Sequence, residues 1–134
     1  MSRRSARKNA FFLLFQMDFN QAEEYEQVKE IFFAEKEEPV EDEDKQFIVS
    51  EVEGARAHLD EIDRIIGECA RGWHTDRKSK VDLAILRLAV YELRFSQDTP
   101  VGVAINEAVE LAKKFSSDEA PGFVNGILGK VAAM

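Results

Sequence analysis

The 134-residue chain is 45% hydrophobic and 33% charged with a formal net charge of −8, a size and balance that fit one domain over 1–134 and exclude a second. Its single cysteine, Cys69, cannot close an internal disulfide, and no stretch approaches the roughly 18 apolar residues that a bilayer span requires. Three prolines, seven glycines and no extended Val/Thr-rich run argue for an all-α fold over a sandwich of short strands.

The net charge hides an asymmetry. Residues 1–19 hold four Lys/Arg and one acid, whereas residues 20–53 hold three and thirteen. A polyanion is repelled by a net-negative protein, so nucleic-acid binding requires a local cationic patch; "SRRSARK" at residues 2–8 is the candidate. That stretch loosely resembles a twin-arginine export signal, but the apolar run behind it, Ala10 to Phe15, is about half the length of a signal core. Gln16 and Asp18 interrupt the run and no small-x-small cleavage site follows, which predicts a cytoplasmic protein.

Ser2 caps a first helix over about 3–19, with Ala10, Leu13, Leu14 and Met17 on its apolar side and Asn9 and Gln16 on a polar edge. A second helix over about 23–36 turns Val28, Ile31, Phe32 and Tyr25 inward. "EKEEPVEDED", residues 35–44, reads as a solvated acidic connector, because Pro39 disfavours helix before it and like charges repel. Phe47, Ile48, Val52, Ala55, Leu59, Ile62 and Ile66 then recur at helical steps, with Gly54 as the place to bend or split the stretch. "RGWHTDRKSK", residues 71–80, loses the periodicity and reads as a loop. Ser79 with Asp82 caps the strongest helix, about 80–96, whose face is Val81, Ala84, Ile85, Leu88 and Tyr91. After a break at Asp98, Thr99 and Pro100, a helix over about 101–115 carries Val103, Ile105, Val109, Leu111 and Ala112 inward. Ser116 and Glu119 form a capping box before a last helix, about 120–132, with Phe123, Val124, Ile127, Leu128 and Val131. The total is six or seven helices.

Catalytic constellations are missing from this pattern, so the chain reads as a non-enzyme with no cofactor. His58, Cys69 and His74 lack zinc-site spacing, Ser5 and Lys8 spell S-x-x-K without its companion motifs, and "GFVNGILGK" fails the phosphate-loop spacing. Its glycines fit close helix approach instead. The acids of 35–44 lack the alternation and central glycine of a calcium loop.

What remains is the basic start. Arg3, Arg4, Arg7 and Lys8 in the first turns of a helix oppose its macrodipole, at a cost of about 0.3–1 kcal/mol per charge at low salt. Phosphates reverse that sign, since the cations and the free N–H groups of the helix start both attract them. Phe11 and Phe15 lie near the azimuth of Arg4 and Lys8, where a partly buried ring stacks on an unpaired base. Two competing readings stand beside this one: a disordered start that only aids solubility, and Phe11 and Phe15 as ordinary core.

"SARKNAFFLLFQMD", "SKVDLAILRLAVYEL" and "PVGVAINEAVELAKKF" followed by "FVNGIL" together resemble the NusB family of bacterial transcription antitermination factors, in order and over nearly the whole chain. Only residues from about 20 to 56 carry no distinctive match. The resemblance implies an all-helical fold of two small bundles packed crosswise and no enzymatic activity. It implies binding of the single-stranded boxA element of ribosomal RNA leader transcripts together with NusE, the small-subunit ribosomal protein that doubles as an elongation factor. RNA polymerase is engaged only indirectly. The RNA contacts carry over onto Arg3, Arg4 and Arg7, with Phe15 and Phe123 as aromatic positions at the RNA surface; Lys8 is added from its place in the basic cluster. Asp82 matches an acidic position that receives NusE. Pro121 and Gly122 depart from the polar groups of other members before Phe123. Arg77, Lys78 and Lys80 fit either RNA contact or loop solubility. Arg87, Asn106 and Glu107 match structural hallmarks, and Glu107 or Glu110 is the expected partner of Arg87. A protein-only adaptor or homodimer, its basic start paired with the 35–44 segment of a second copy, is the alternative function. A detached relative of the NusB-like domain of ribosomal RNA methyltransferases is a third, without room for a cofactor-binding domain.

Overall fold

A computed structural model describes residues 1–71, 79–96 and 98–134. Among them there are seven α-helices and no strand: α1 (Arg3–Met17), α2 (Tyr25–Ala34), α3 (Asp42–Ala57), α4 (Leu59–Cys69), α5 (Lys80–Arg94), α6 (Val101–Phe115) and α7 (Ala120–Ala132). One helical turn, Ala22–Glu24, leads into α2. The all-α expectation therefore holds. Helix α1 packs on α2, α3 and α5, while α4, α6 and α7 also pack on α5, with α7 touching both α4 and α6.

Helix α5 is the axle of the molecule. Ala84, Ile85, Leu86, Leu88, Ala89 and Val90 are all buried, so its apolar surface extends well beyond the face that periodicity picks out, because neighbours enclose it. Its start follows the expected chemistry: the Ser79 Oγ accepts the Asp82 N–H at 3.0 Å. The Ser2 Oγ likewise accepts the Ser5 N–H at 3.0 Å and starts α1.

Elsewhere tertiary contacts overrule the local pattern. The long stretch before residue 70 splits at His58, not at Gly54, and the His58 ring stacks on Phe95 with centroids 4.1 Å apart. Gly54 instead makes room for a neighbour, since a Cβ there would meet the Tyr91 ring at 2.3–2.4 Å. Of the apolar residues expected to face inward from α2, only Phe32 is buried, and Ile31 is 48% exposed. In α6 the buried stripe is Ala104, Ala108 and Ala112; small side chains let α6 lie close to its neighbours, while Val103 turns outward. Asn9, expected on a polar edge, is buried and donates to the Ser5 carbonyl at 2.9 Å. The proposed Ser116–Glu119 capping box does not form: Ser116 ends α6, Glu119 starts α7, and the Ser116 hydroxyl donates to the Asp82 carboxylate. Nor do Gly122 and Gly129 mark close helix contacts, as a Cβ at either meets open space.

Two charge networks lie inside. Arg87 donates to both Asp63 oxygens at 2.8 and 3.0 Å and to Asp18 at 3.2 Å, so its partners are not Glu107 or Glu110. Lys80 also reaches Asp18, at 3.0 Å. Burial works to raise the Asp18 pKa, but Lys80 and Arg87 outweigh it and hold the carboxyl below its ordinary value. The second network joins Arg7 to Glu92 at 2.9 Å and to the Thr99 hydroxyl at 3.3 Å. Glu51 lies against Glu92, and burial, then the hydrogen bond and charge of Glu92, push its pKa up to about 9 despite Arg7 and Arg3.

Arg87→Ala is expected to cost about 1–3 kcal/mol, because it removes the partner of Asp63 and leaves Asp18 with Lys80 alone, discounted for the partial exposure of Asp63; urea unfolding measures this. Glu51 bears on pH. Its folded pKa of about 9 stands above an ordinary 4.5, so its stabilisation is complete below that ordinary value and is lost as pH rises through the folded one. Glu51→Gln, which mimics the protonated acid, is expected to raise the Tm by about 3–6 °C at pH 8 and by little near pH 5 in thermal melts.

Candidate nucleic-acid interface

The first turns of α1 and the C-terminal half of α6 form the walls of an open groove of about 430 Å³. Arg4, Ser5 and Lys8 line one wall, and Glu107, Lys113 and Lys114 the other. Helix α1 has no acid in its first turn, so the positive end of its dipole adds to the cations. Lys113 and Lys114 occupy the last turn of α6, where they offset the opposite dipole end.

The basic start divides into distinct environments. Arg4 is exposed, and its Nε donates to the two oxygens of Glu107 at 2.9 and 3.3 Å. Arg3 lays its guanidinium 4.0 Å from the centre of the Phe47 ring and is exposed, a cation–π arrangement that leaves its outer edge open. Arg7 corrects the expectation of a row of RNA-facing arginines: it is buried and held by Glu92 and Thr99. Arg7 also lines the groove, but its Nε and one terminal nitrogen are committed to Glu92 and Thr99, and drawing it outward would leave a buried carboxylate unpaired.

Lys8 is half-buried on the groove wall. It lies near enough to Lys36 for its charge to add to burial in lowering the Lys36 pKa. Sequence reasoning missed Lys36 by assigning it to the acidic connector, and missed Lys113 and Lys114 because α6 lies a hundred residues away. Lys36 stands near Lys8, whereas Lys113 and Lys114 line the groove itself.

The aromatic expectations separate as well. Phe11 is 2% exposed and packs against Phe115 at 5.6 Å, so it belongs to the core and offers no stacking face. Phe15 is half-buried and meets Phe19 edge-on at 5.1 Å. Phe19, 61% exposed, closes a shallow cleft with Phe15, Val28 and Ile31; the sequence reading places it inside the first helix, about 3–19, without singling it out, and the structure ends α1 at Met17. Phe123 is half-buried in the first turn of α7, against the core. Asp82 is buried and takes the Ser116 hydroxyl, which ties the α5 start to the end of α6 and leaves the carboxylate little surface for a partner. Lys80 is exposed but reaches Asp18; Arg77, Lys78 and His74 lie outside the described residues.

Among the described residues no group of His, Cys, Asp and Glu is placed to hold a metal ion, and no helix is long and apolar enough to cross a membrane. The site is thus a cationic groove with aromatic neighbours, suited to binding an anionic polymer.

Comparison with known proteins points the same way. The NusB family model matches residues 4–133. A transcription antitermination protein NusB from Agathobacter rectalis is 46% identical over 132 residues, covering 98% of this chain and 100% of the relative. Its counterpart from Bacillus subtilis is 40% identical over 98% of this chain and 95% of the relative. Among solved structures, NusB of T. maritima superposes with a TM-score of 0.86 at 36% identity, covering 99% of this chain and 92% of the other. NusB in a crystal structure of antitermination factors NusB and NusE with double-stranded RNA superposes with a TM-score of 0.83 at 30% identity over 98% and 96% of the two chains. By its helix order, its motifs and these likenesses along its whole length, the chain belongs to the NusB family of transcription antitermination proteins.

Proposed function

We propose that the chain binds the boxA element of ribosomal RNA leader transcripts together with NusE and thereby helps RNA polymerase read through termination signals. The observation that carries this reading is the groove between α1 and α6, which concentrates Arg4, Lys8, Lys113 and Lys114 on a molecule whose net charge is −8. Such a local field overcomes the repulsion of the remaining surface at short range, where screening is weakest. A solved NusB relative captured with NusE and RNA supports the same partners.

In this reading Arg4, Lys8, Lys113 and Lys114 hold phosphates, and Arg3 adds a cation at the rim. Phe15 and Phe123 offer ring faces to unpaired bases, a contact that tolerates any base and so fixes position more than sequence. Arg7 serves the site from inside, by fixing the start of α1. Asp82 serves the NusE side indirectly, by holding α5 against the end of α6. The action is assembly in the cytoplasm, without catalysis or cofactor: each partner raises the effective concentration of the other. The homodimer alternative is less well supported, because the basic start already meets an acid of its own chain, with the Met1 amino group 3.1 Å from Asp44.

Titration of single-stranded boxA RNA, with a duplex of the same sequence as comparison, tests the reading. Four phosphate contacts on a single strand predict a log affinity that falls with log salt at a slope of about −3. Arg4→Ala is expected to weaken binding, to lower the slope by roughly 1 and to lower the Tm only slightly. Arg7→Ala, in contrast, is expected to lose about 3–5 kcal/mol of stability by stranding buried Glu92. Affinity that ignores salt, or that Arg4→Ala leaves intact, would show that the groove does not bind RNA.

A further inference from the structure

Two acids stand in the cationic groove, and charge alone gives both the same effect: each repels a polyanion. Their geometry differs. Glu110 pairs with Lys113 on its own helix, one turn away, at 3.3 Å; Lys113 is exposed and Glu110 partly so. Glu107 crosses the groove from α6 to α1. Its side chain is 14% exposed, whereas that of its partner Arg4 is 64% exposed, so the carboxylate is the fixed member of the pair and the guanidinium the presented one.

The carboxylate takes Arg4 by Nε alone. A guanidinium has five N–H donors; one is used here, and among the described residues no hydrogen bond engages Nη1 or Nη2 of Arg4. The outer fork, the edge suited to two parallel bonds with a phosphate, is therefore not engaged by the carboxylate. Arg4 is the second residue of α1, in a first turn whose own hydrogen bonds are incomplete. A long side chain at such a place samples many rotamers and must surrender them on binding.

We propose that Glu107 is a positioning residue for RNA: it bridges α6 to Arg4 and holds the guanidinium fork ready for a phosphate, so that its net effect on affinity is favourable despite its negative charge. This rests on the reading of the groove as the RNA site. Glu110 pairs with Lys113 one turn away on the same helix, so it ties no cation of α1 across the groove.

Four variants and one double variant, titrated with single-stranded boxA RNA at fixed salt, decide the matter. Glu107→Gln and Glu110→Gln change the net charge identically, yet the first is expected to bind about threefold more weakly and the second as tightly as wild type or more tightly. Glu107→Ala, which removes the amide oxygen as well, is expected to weaken binding by about tenfold; both losses lie in the range for ordering one rotamer-rich side chain. In an Arg4→Ala background the further change Glu107→Ala is expected to cost nothing, which a general structural role would not produce. Melting temperatures are expected to stay near wild type, since one partner of the bridge is exposed. Should a Glu107 variant unfold, Glu107→Asp keeps the charge, withdraws the carboxylate by one methylene and is expected to show the same loss. Binding by Glu107→Gln and Glu107→Ala as tight as wild type, or a Glu107→Ala loss that persists without Arg4, overturns the proposal while the RNA reading stands on the Arg4→Ala result. If wild type itself does not bind RNA, both fall together.

Discussion

Two charged groups on the central helix determine where the first helix lies. Helix α5 is enclosed by its neighbours, and a charge buried there is tolerated only with a partner. Arg87 draws in Asp18, just past the end of α1, and Asp63 of α4. Glu92 draws in Arg7, near the start of α1. Helix α1 is thus pinned to α5 at both ends, antiparallel, and neither its rotation nor its slide is free. Apolar burial supplies the bulk of the favourable free energy, but it is non-directional; these ion pairs supply the direction.

The surface of α1 inherits that alignment. With Arg7 turned inward, Arg4 and Lys8 fall on the wall that faces α6, and Arg3 rests on Phe47 of α3. One cluster in the sequence therefore performs three tasks: anchoring, groove lining and rim charge. The acids that surround it are not mere solvent decoration. Glu92 and Glu51 form the buried floor beneath Arg7, Asp44 meets the Met1 amino group, and Glu107 ties α1 to α6 across the groove. A helix start made unfavourable by its own dipole is stabilised by carboxylates from α3, α5 and α6, with the exposed fork of Arg4 left over for an anion.

Much of the fold was legible locally. The apolar recurrences of α1, α5 and α7, the Ser2 and Ser79 caps, and the breaks near residues 35–44 and 98–100 depend on neighbours within a turn or two, and three motifs in order were enough to suggest the family. The misplacements share one cause, a contact from far along the chain: Phe95 stacks on His58, where α3 and α4 part; Tyr91 occupies the space beside Gly54; α6 turns its alanines inward.

For the site, the amino-acid sequence alone determined that four cations stand together in the first eight residues and that a net-negative chain needs such a patch to bind RNA. Only the tertiary structure decided which cations face outward. Arg4 and Arg7 are one turn apart and of identical chemistry, yet Glu107 holds one at the surface and Glu92 holds the other inside. Those carboxylates lie 103 and 85 residues away, and Lys113 and Lys114 join the site from the end of α6. Helical periodicity is set by bonds that reach four residues, whereas the pairing of a buried charge is set by whichever opposite charge the completed packing brings within about 3 Å.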